Sequence, residues 1–461
     1  MELRQKQWPA PADLALETVH EWALWLTEVE RWLMPHFTRR EARWRAWGYI
    51  RGLLSPVERK NGWQLAEVNG EATPYGIQHL LGRAMWDTEA VRDDLRAYVV
   101  KHLGTPQAVL VLDETGFRKK GQQSAGVARQ YRGTAGRIEN CQIGVFLAYA
   151  SRQGHALLDC ALYVPQAWTN DRERCERAGI PKKHPCATKP QVARQMLQHA
   201  FDARVPAAWV TGDSVYGDDR RLRVWLEEQE RAHVLAVSGK EYVWRAGRPQ
   251  QVKTILATLA PEGWHRVSAG DGAKGPRWYD WPWFPLAAPW QPAWRRWLLV
   301  RRSLSDPTAL TAYGVFAPQA PILETVVPVV GSRWTVERCF EEAKGEVGLD
   351  HYEVRSWTGW YWHIPLAMWA YALLTVLRAV QLPTEEAPKK NAAPACPEQP
   401  GSLQGGARSV VALSVGEIRC LFWRLVLATP QRVERMLAWS MWRRWHQGIA
   451  KYWHYKRRAV S

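Results

Sequence analysis

Two aspartates and a glutamate occupy the places in this sequence where chemistry is most easily built. Ala108 to Leu112 (AVLVL) is an unbroken apolar run of the kind a strand covered on both faces requires, and Asp113 closes it. Ala207 to Thr211 (AAWVT) is a second such run, followed by Gly212 and Asp213. Open α/β sheets place their ligands at strand ends like these. The third acid, Glu337, lies in Arg333 to Val347 (RWTVERCFEEAKGEV). On a helix at about 100° per residue, Arg333, Glu337 and Lys344 fall within roughly 40° of one another. They run beside an apolar strip of Val336, Phe340, Ala343 and Val347. The spacing sets Glu337 on the rim of a buried face between two cations and predicts that it faces the interior. Glu341, the fallback third acid, and Glu342 turn progressively further away. Three carboxylates so placed suit two divalent ions, Mg²⁺ with Mn²⁺ as a substitute, because Mg²⁺ takes few carboxylates and keeps waters. Such a pair, about 4 Å apart, activates a water or a 3′-hydroxyl on one side of a phosphodiester and stabilises the leaving oxygen on the other.

The elements that must hold these acids follow from periodicity. Residues 1–104 read as mainly helical, with Leu14 to Met34 the clearest stretch and Pro35 its stop. Gly62 to Val68, a turn through Asn69, Gly70 and Glu71, and a second helix capped by Thr73 with Pro74 at its first position predict a helix-turn-helix. With Arg39, Arg40, Arg43 and Arg45 nearby, this part is expected to be a helical DNA-binding domain. From 105 the period changes. Strand-like runs at 126–131, 142–150 and 156–164, a helix over 191–203, the second aspartate's strand, a helix over 219–230 and a strand over 233–237 make residues 105–239 the first part of an α/β core. Residues 240–325 break that rhythm with Gly, Pro and tryptophan and predict a β-rich insertion. Residues 326–381 return to the core as its last helices, with Ile364 to Leu377 too short to span a bilayer and read as a buried helix. Residues 382–408 have linker composition, and 409–461 form a basic helical C-terminal region.

Composition narrows the partner. Against 45 Asp and Glu stand 62 Lys and Arg, a formal charge of +17, which calls for a polyanion. DNA leads, and an anionic membrane surface is second. The 7 cysteines form no CxxC pair, so a reducing cytoplasm fits. Cys175, His184 and Cys186 lack a fourth spaced ligand and predict no zinc site. Met1 to Gln7 is polar and no apolar run follows, so no signal peptide is expected.

The order strand-Asp113, strand-Asp213, insertion, helix-Glu337 resembles bacterial insertion-sequence transposases of the DDE superfamily, which have an RNase H-like core interrupted by a β-rich insertion. The resemblance runs from about Pro35 to Val380. It is carried by VLDETGF (111–117), SAGVARQYRGTAGRIENCQIGVF (124–146), VTGDSVYG (210–217) and the stretch 333–357. It implies Asp113, Asp213 and Glu337 as the metal-binding catalytic triad. A sub-branch carries Tyr-x2-Arg-x3-Glu-x6-Lys around the third acid; Arg333, Glu337 and Lys344 match, while Val330 stands at the tyrosine position. By the same resemblance Arg333 and Lys344 grip phosphates, joined as expected DNA contacts by Lys119, Lys120 and Arg137. A hairpin route of cleavage would need a stacking platform for an extruded base, for which Trp281, Trp283, Trp290 and Trp294 are the candidates. The implied activity is Mg²⁺-dependent hydrolysis at element ends, then attack of the freed 3′-hydroxyl on target DNA, by a homodimer acting near the bacterial nucleoid. The alternative is a DNA-binding regulator without catalysis.

Overall fold

The computed structural model describes residues 16–133, 136–259, 263–272, 275–289, 291–318, 321–381 and 413–428, with separate positions between 439 and 453. The linker expected at 382–408, most of 409–461 and Trp290 lie outside the described residues.

Helices lead: α1 (Leu16–Leu33), α2 (Arg40–Leu54), α3 (Gly62–Val68), α4 (Tyr75–Gly82) and α5 (Thr88–Leu103). After α1 a short 3₁₀ turn, Met34–His36, carries the chain round through Pro35. Asn61 caps α3, its side chain accepting from the Trp63 and Gln64 amides. The turn into α4 passes through Gly70 at φ 76°, a left-handed conformation that glycine takes without strain. The cap of α4 differs from the sequence expectation. Pro74, not Thr73, takes the N-cap position, and its side chain has no oxygen to accept from the first amides of the helix.

The strands β1 (Val109–Arg118), β2 (Ala128–Arg132), β3 (Arg137–Ala150) and β4 (His155–Tyr163) come next. Helices α6 (Gln166–Thr169), α7 (Arg172–Arg177) and α8 (Lys189–Asp202) lead to β5 (Trp209–Gly212), α9 (Ser214–Gly217), α10 (Arg220–Glu228) and β6 (His233–Val237). Then follow a separate hairpin of β7 (Tyr242–Arg245) and β8 (Arg248–Gln251), α11 (Val252–Ala257), and strands β9 (His265–Gly272), β10 (Gly275–Trp281), β11 (Trp283–Pro285), β12 (Trp294–Ser303) and β13 (Leu310–Pro318). Last are α12 (Leu323–Val347), α13 (Trp357–Gln381) and α14 (Val415–Phe422).

One large mixed sheet organises the molecule, in the order β2-β3-β1-β5-β6-β13-β12-β10-β9, with β4 also on β3 and β11 on β12. At its centre β1, β5 and β6 run parallel. The apolar runs that announce them are buried because α12 and α13 cover the sheet, and ten successive residues of β3, 141–150, are buried. Apart from the β7–β8 hairpin, the strands of the 240–325 segment join this sheet. β13 pairs antiparallel with β6 and carries β12, β10 and β9 with it, so the segment widens the central sheet.

Among the described residues α13 alone is long and apolar enough to cross a membrane, but 83% of its apolar window is buried inside the protein. Its 25 residues extend beyond the apolar run Ile364 to Leu377 on both sides. Its His363 joins the helical part to the rest. Nδ1 lies 2.7 Å from the Tyr49 hydroxyl and Nε2 lies 3.2 Å from the Leu349 carbonyl. The neutral ring fits both, donating from Nε2 and accepting at Nδ1. Burial pushes this imidazole down to about 3, and that of buried His233 in β6 down to about 4. Unfolded, both rings bind a proton near pH 6.5. Below that value the unfolded chain holds more protons, so their contribution to stability is complete above it and is lost as the pH falls. Each ring adds a slope of up to about 1.4 kcal/mol per pH unit. Urea unfolding between about pH 7 and pH 5 should show this decline, and His363→Gln should flatten it by about one such slope.

Candidate active site

The final register pair between the parallel strands β1 and β5 is Leu112 with Gly212, so Asp113 and Asp213 leave the paired segment side by side. Asp113 does not end its own strand, as the sequence suggests. β1 continues to Arg118 because β3 goes on pairing with it, Asp113 against Phe146 and Arg118 against Cys141. The strand end at this point belongs to β5 alone. There Asp213 caps α9, accepting from the Val215 amide at 2.9 Å, while Asp113 accepts from the Glu114 amide at 2.7 Å.

The electrostatics confirm that the two carboxyls share one space. Burial, then the charges of Asp213 and Glu114, push Asp113 up to about 8. Burial, then Glu114, raise Asp213 above the usual carboxylate range. In each case Arg333 opposes the rise. The site therefore concentrates more negative charge than its protein cations balance.

Glu114 is the acid that sequence reasoning passed over. Lys189, at the start of α8, donates to its Oε1 at 2.6 Å, and the Tyr216 hydroxyl in α9 donates to its Oε2 at 2.7 Å. The signal was its place beside Asp113 in VLDETGF, but its partners lie 75 and 102 residues away.

α12 brings the third expected acid to the rim rather than inside. Arg333 and Glu337 form an ion pair at 3.3 Å, and the Glu337 side chain is 54% exposed. The interior position predicted for Glu337 is thus corrected: the helix rim that carries it turns to solvent. Another acid of α12, Glu342, accepts from Tyr371 at 2.7 Å and lies 3.2 Å from His155. Glu341 is exposed. Lys344 shares the rim, its Nζ donating to Thr115 Oγ1 at 2.6 Å, two residues past Asp113 on β1. Val330 is buried in α12, so the position a tyrosine takes in the matching signature is core here. The helix ends at Gly348, whose φ of 66° suits a left-handed cap.

A profile of DDE superfamily endonucleases matches residues 32–255, a stretch that includes both aspartates. This stretch is similar to the endonucleases of the DDE superfamily. A curated relative, the probable transposase for insertion sequence element IS701 from Microchaete diplosiphon, is 26% identical over 237 residues, which is 51% of this chain and 57% of that protein. The chain thus matches just over half the length of that relative. Arg333, Glu337 and Lys344 lie beyond the stretch matched by the DDE profile.

The other basic residues expected to contact DNA are placed unevenly. Lys120 is exposed in the loop after β1. Lys119 is turned inward: its Nζ donates to the Tyr352 carbonyl at 3.0 Å and sits 3.3 Å from the centre of the Tyr352 ring. Burial pushes this amine down to about 7. Arg137 is exposed and pairs with Glu139 at 2.7 Å. Of the tryptophans named as base platforms, the three among the described residues pack against the protein. Trp281 is fully buried, Trp283 stacks on Trp297, and Trp294 stacks on Phe316 with 5° between the rings.

Proposed function

We propose that the protein is the transposase of a bacterial insertion sequence, cutting DNA at the element ends and joining the freed 3′-hydroxyl to target DNA. The observation that carries this reading is the pair of aspartates side by side at the end of β5, within a segment that matches the DDE endonucleases. In this reading β4, β3, β1, β5 and β6 form an RNase H-like core. The 240–325 segment is its insertion, and α3 and α4 belong to a DNA-binding helical domain. The protein works on DNA in the bacterial cytoplasm, as a homodimer once two ends are joined.

The carboxylates suit Mg²⁺ or Mn²⁺. Their oxygens are hard donors, and the excess negative charge around Asp113 is what a cation relieves. Among the described residues no three acid, His or Cys side chains stand together closely enough to enclose an ion as they are. Asp113 and Asp213 would hold two ions between them, with Glu337 as the outer ligand once it leaves Arg333. Bound there, such ions supply an activated water or 3′-hydroxyl and stabilise the leaving oxygen. Arg333, freed from Glu337, is then placed to pair with phosphate, as is Lys344 on the same rim.

The assay is cleavage of a labelled duplex carrying the element end, in Mg²⁺. Glu337→Gln should lower cleavage by about a hundred-fold or more with DNA binding retained, whereas Glu341→Gln should leave it within a few-fold. Undiminished cutting by Glu337→Gln removes Glu337 from the site. A regulator without catalysis would bind the same duplex and cut it in neither metal.

A further inference from the structure

We infer that Glu114 is a positioning residue: it braces the loop carrying Asp213 against the strand carrying Asp113 and so fixes the distance between the two ion-holding carboxylates. This rests on the metal-dependent reading above and adds a residue to it. Both Glu114 oxygens are already spent on protein donors. Oε2 takes the Tyr216 hydroxyl, three residues after Asp213, and Oε1 takes Lys189 at the start of α8. Tyr216 is fully buried, and α9 is pressed on β6 so closely that a Cβ at Gly217 would fall 1.7 Å from the Ala236 carbonyl oxygen. The α9 turn therefore has two anchors. Backbone packing at Gly217 fixes it to β6, and the bond from Tyr216 to Glu114 fixes it to β1. Lys189 offsets part of the charge this adds. Each donor is directional, so the brace sets a position and not merely a potential.

Groups that orient metal ligands from behind typically change metal affinity or activity by about 10–100-fold when removed. Two readouts test this in the full-length protein: Mn²⁺ binding followed by electron paramagnetic resonance without DNA, and the Mg²⁺ concentration giving half-maximal cleavage. Tyr216→Phe and Glu114→Gln should each weaken Mn²⁺ binding and raise the Mg²⁺ requirement by about ten-fold or more. Cleavage at saturating Mg²⁺ should return to within a few-fold of the parent, with DNA affinity unchanged. Combining the two substitutions should cost no more than the larger single effect, since both remove one contact. If cleavage falls equally at every Mg²⁺ concentration while Mn²⁺ binding is unaltered, the brace is overturned. It is also overturned if Glu114→Gln abolishes cleavage at any Mg²⁺ level while Tyr216→Phe has no effect, because Glu114 would then itself be an ion ligand. Failure of the metal-dependent reading looks different: the parent protein would bind no Mn²⁺ at the aspartates and cut nothing.

Discussion

Asp113→Asn is expected to lower DNA cleavage by about a thousand-fold or more, equivalent to roughly 4 kcal/mol of lost charge stabilisation, while making the metal-free protein more stable at neutral pH. The two effects have one origin. An unfolded aspartate ionises near pH 3.9, whereas Asp113 in the folded protein ionises only near 8. Between those values the folded state holds the extra proton, so stability falls as the pH rises through the window. Asparagine keeps the shape and cannot ionise, so it removes that burden together with the anionic oxygen an ion needs. Thermal unfolding in a chelator at about pH 7 should therefore show a higher midpoint for Asp113→Asn than for the parent, alongside the lost cleavage. Lost cleavage with a lowered midpoint would mean a folding defect, and retained cleavage would remove Asp113 from the chemistry. Asp213→Asn should follow the same pattern, since burial and then Glu114 raise its carboxyl as well.

The two aspartates were legible because a doubly covered parallel strand leaves an unmistakable trace, a run of apolar residues broken by the first side chain that must leave the core. Helical spacing likewise placed Arg333, Glu337 and Lys344 on one rim. It turned the wrong flank of that rim inward, because α12 begins at Leu323 and its docking is set by contacts with β9, β1 and α13 that no local window contains. The extension of β1 past Asp113 depends on β3, and the bonds of Glu114 depend on α8 and α9. Tertiary partners decided both. Tryptophan content misled for a related reason. A Trp-rich segment reads equally as base platform or as packing, and Trp281 and Trp294 turned out to be packing.

The largest effect on stability is expected at Asp159, far from the carboxylate pair in chemistry but central to the join between the helical part and the sheet. Asp159 lies on β4 and is fully buried. Arg92 Nε of α5 lies 2.9 Å from its Oδ1, Arg96 Nη2 of the same helix 3.4 Å from Oδ2, and His199 of α8 3.7 Å from Oδ2. The Cys160 amide donates to Oδ1 at 2.8 Å. Burial alone would raise this carboxyl, yet Arg92 and its neighbours hold it below the usual range. Its contribution is therefore present above about pH 4 and lost below it. Asp159→Ala strands the nearly buried Arg92 guanidinium and leaves Arg96 with its Asp93 pair alone, a loss expected to reach about 3–5 kcal/mol. Asp159→Ala combined with Arg92→Met should recover part of that loss, because the second change removes a charge the first left without a partner. Urea unfolding of the three variants measures it, and additive losses would show that Asp159 and Arg92 act independently. Such independence would leave Arg96 as the α5 partner of Asp159 that ties the helix to the sheet.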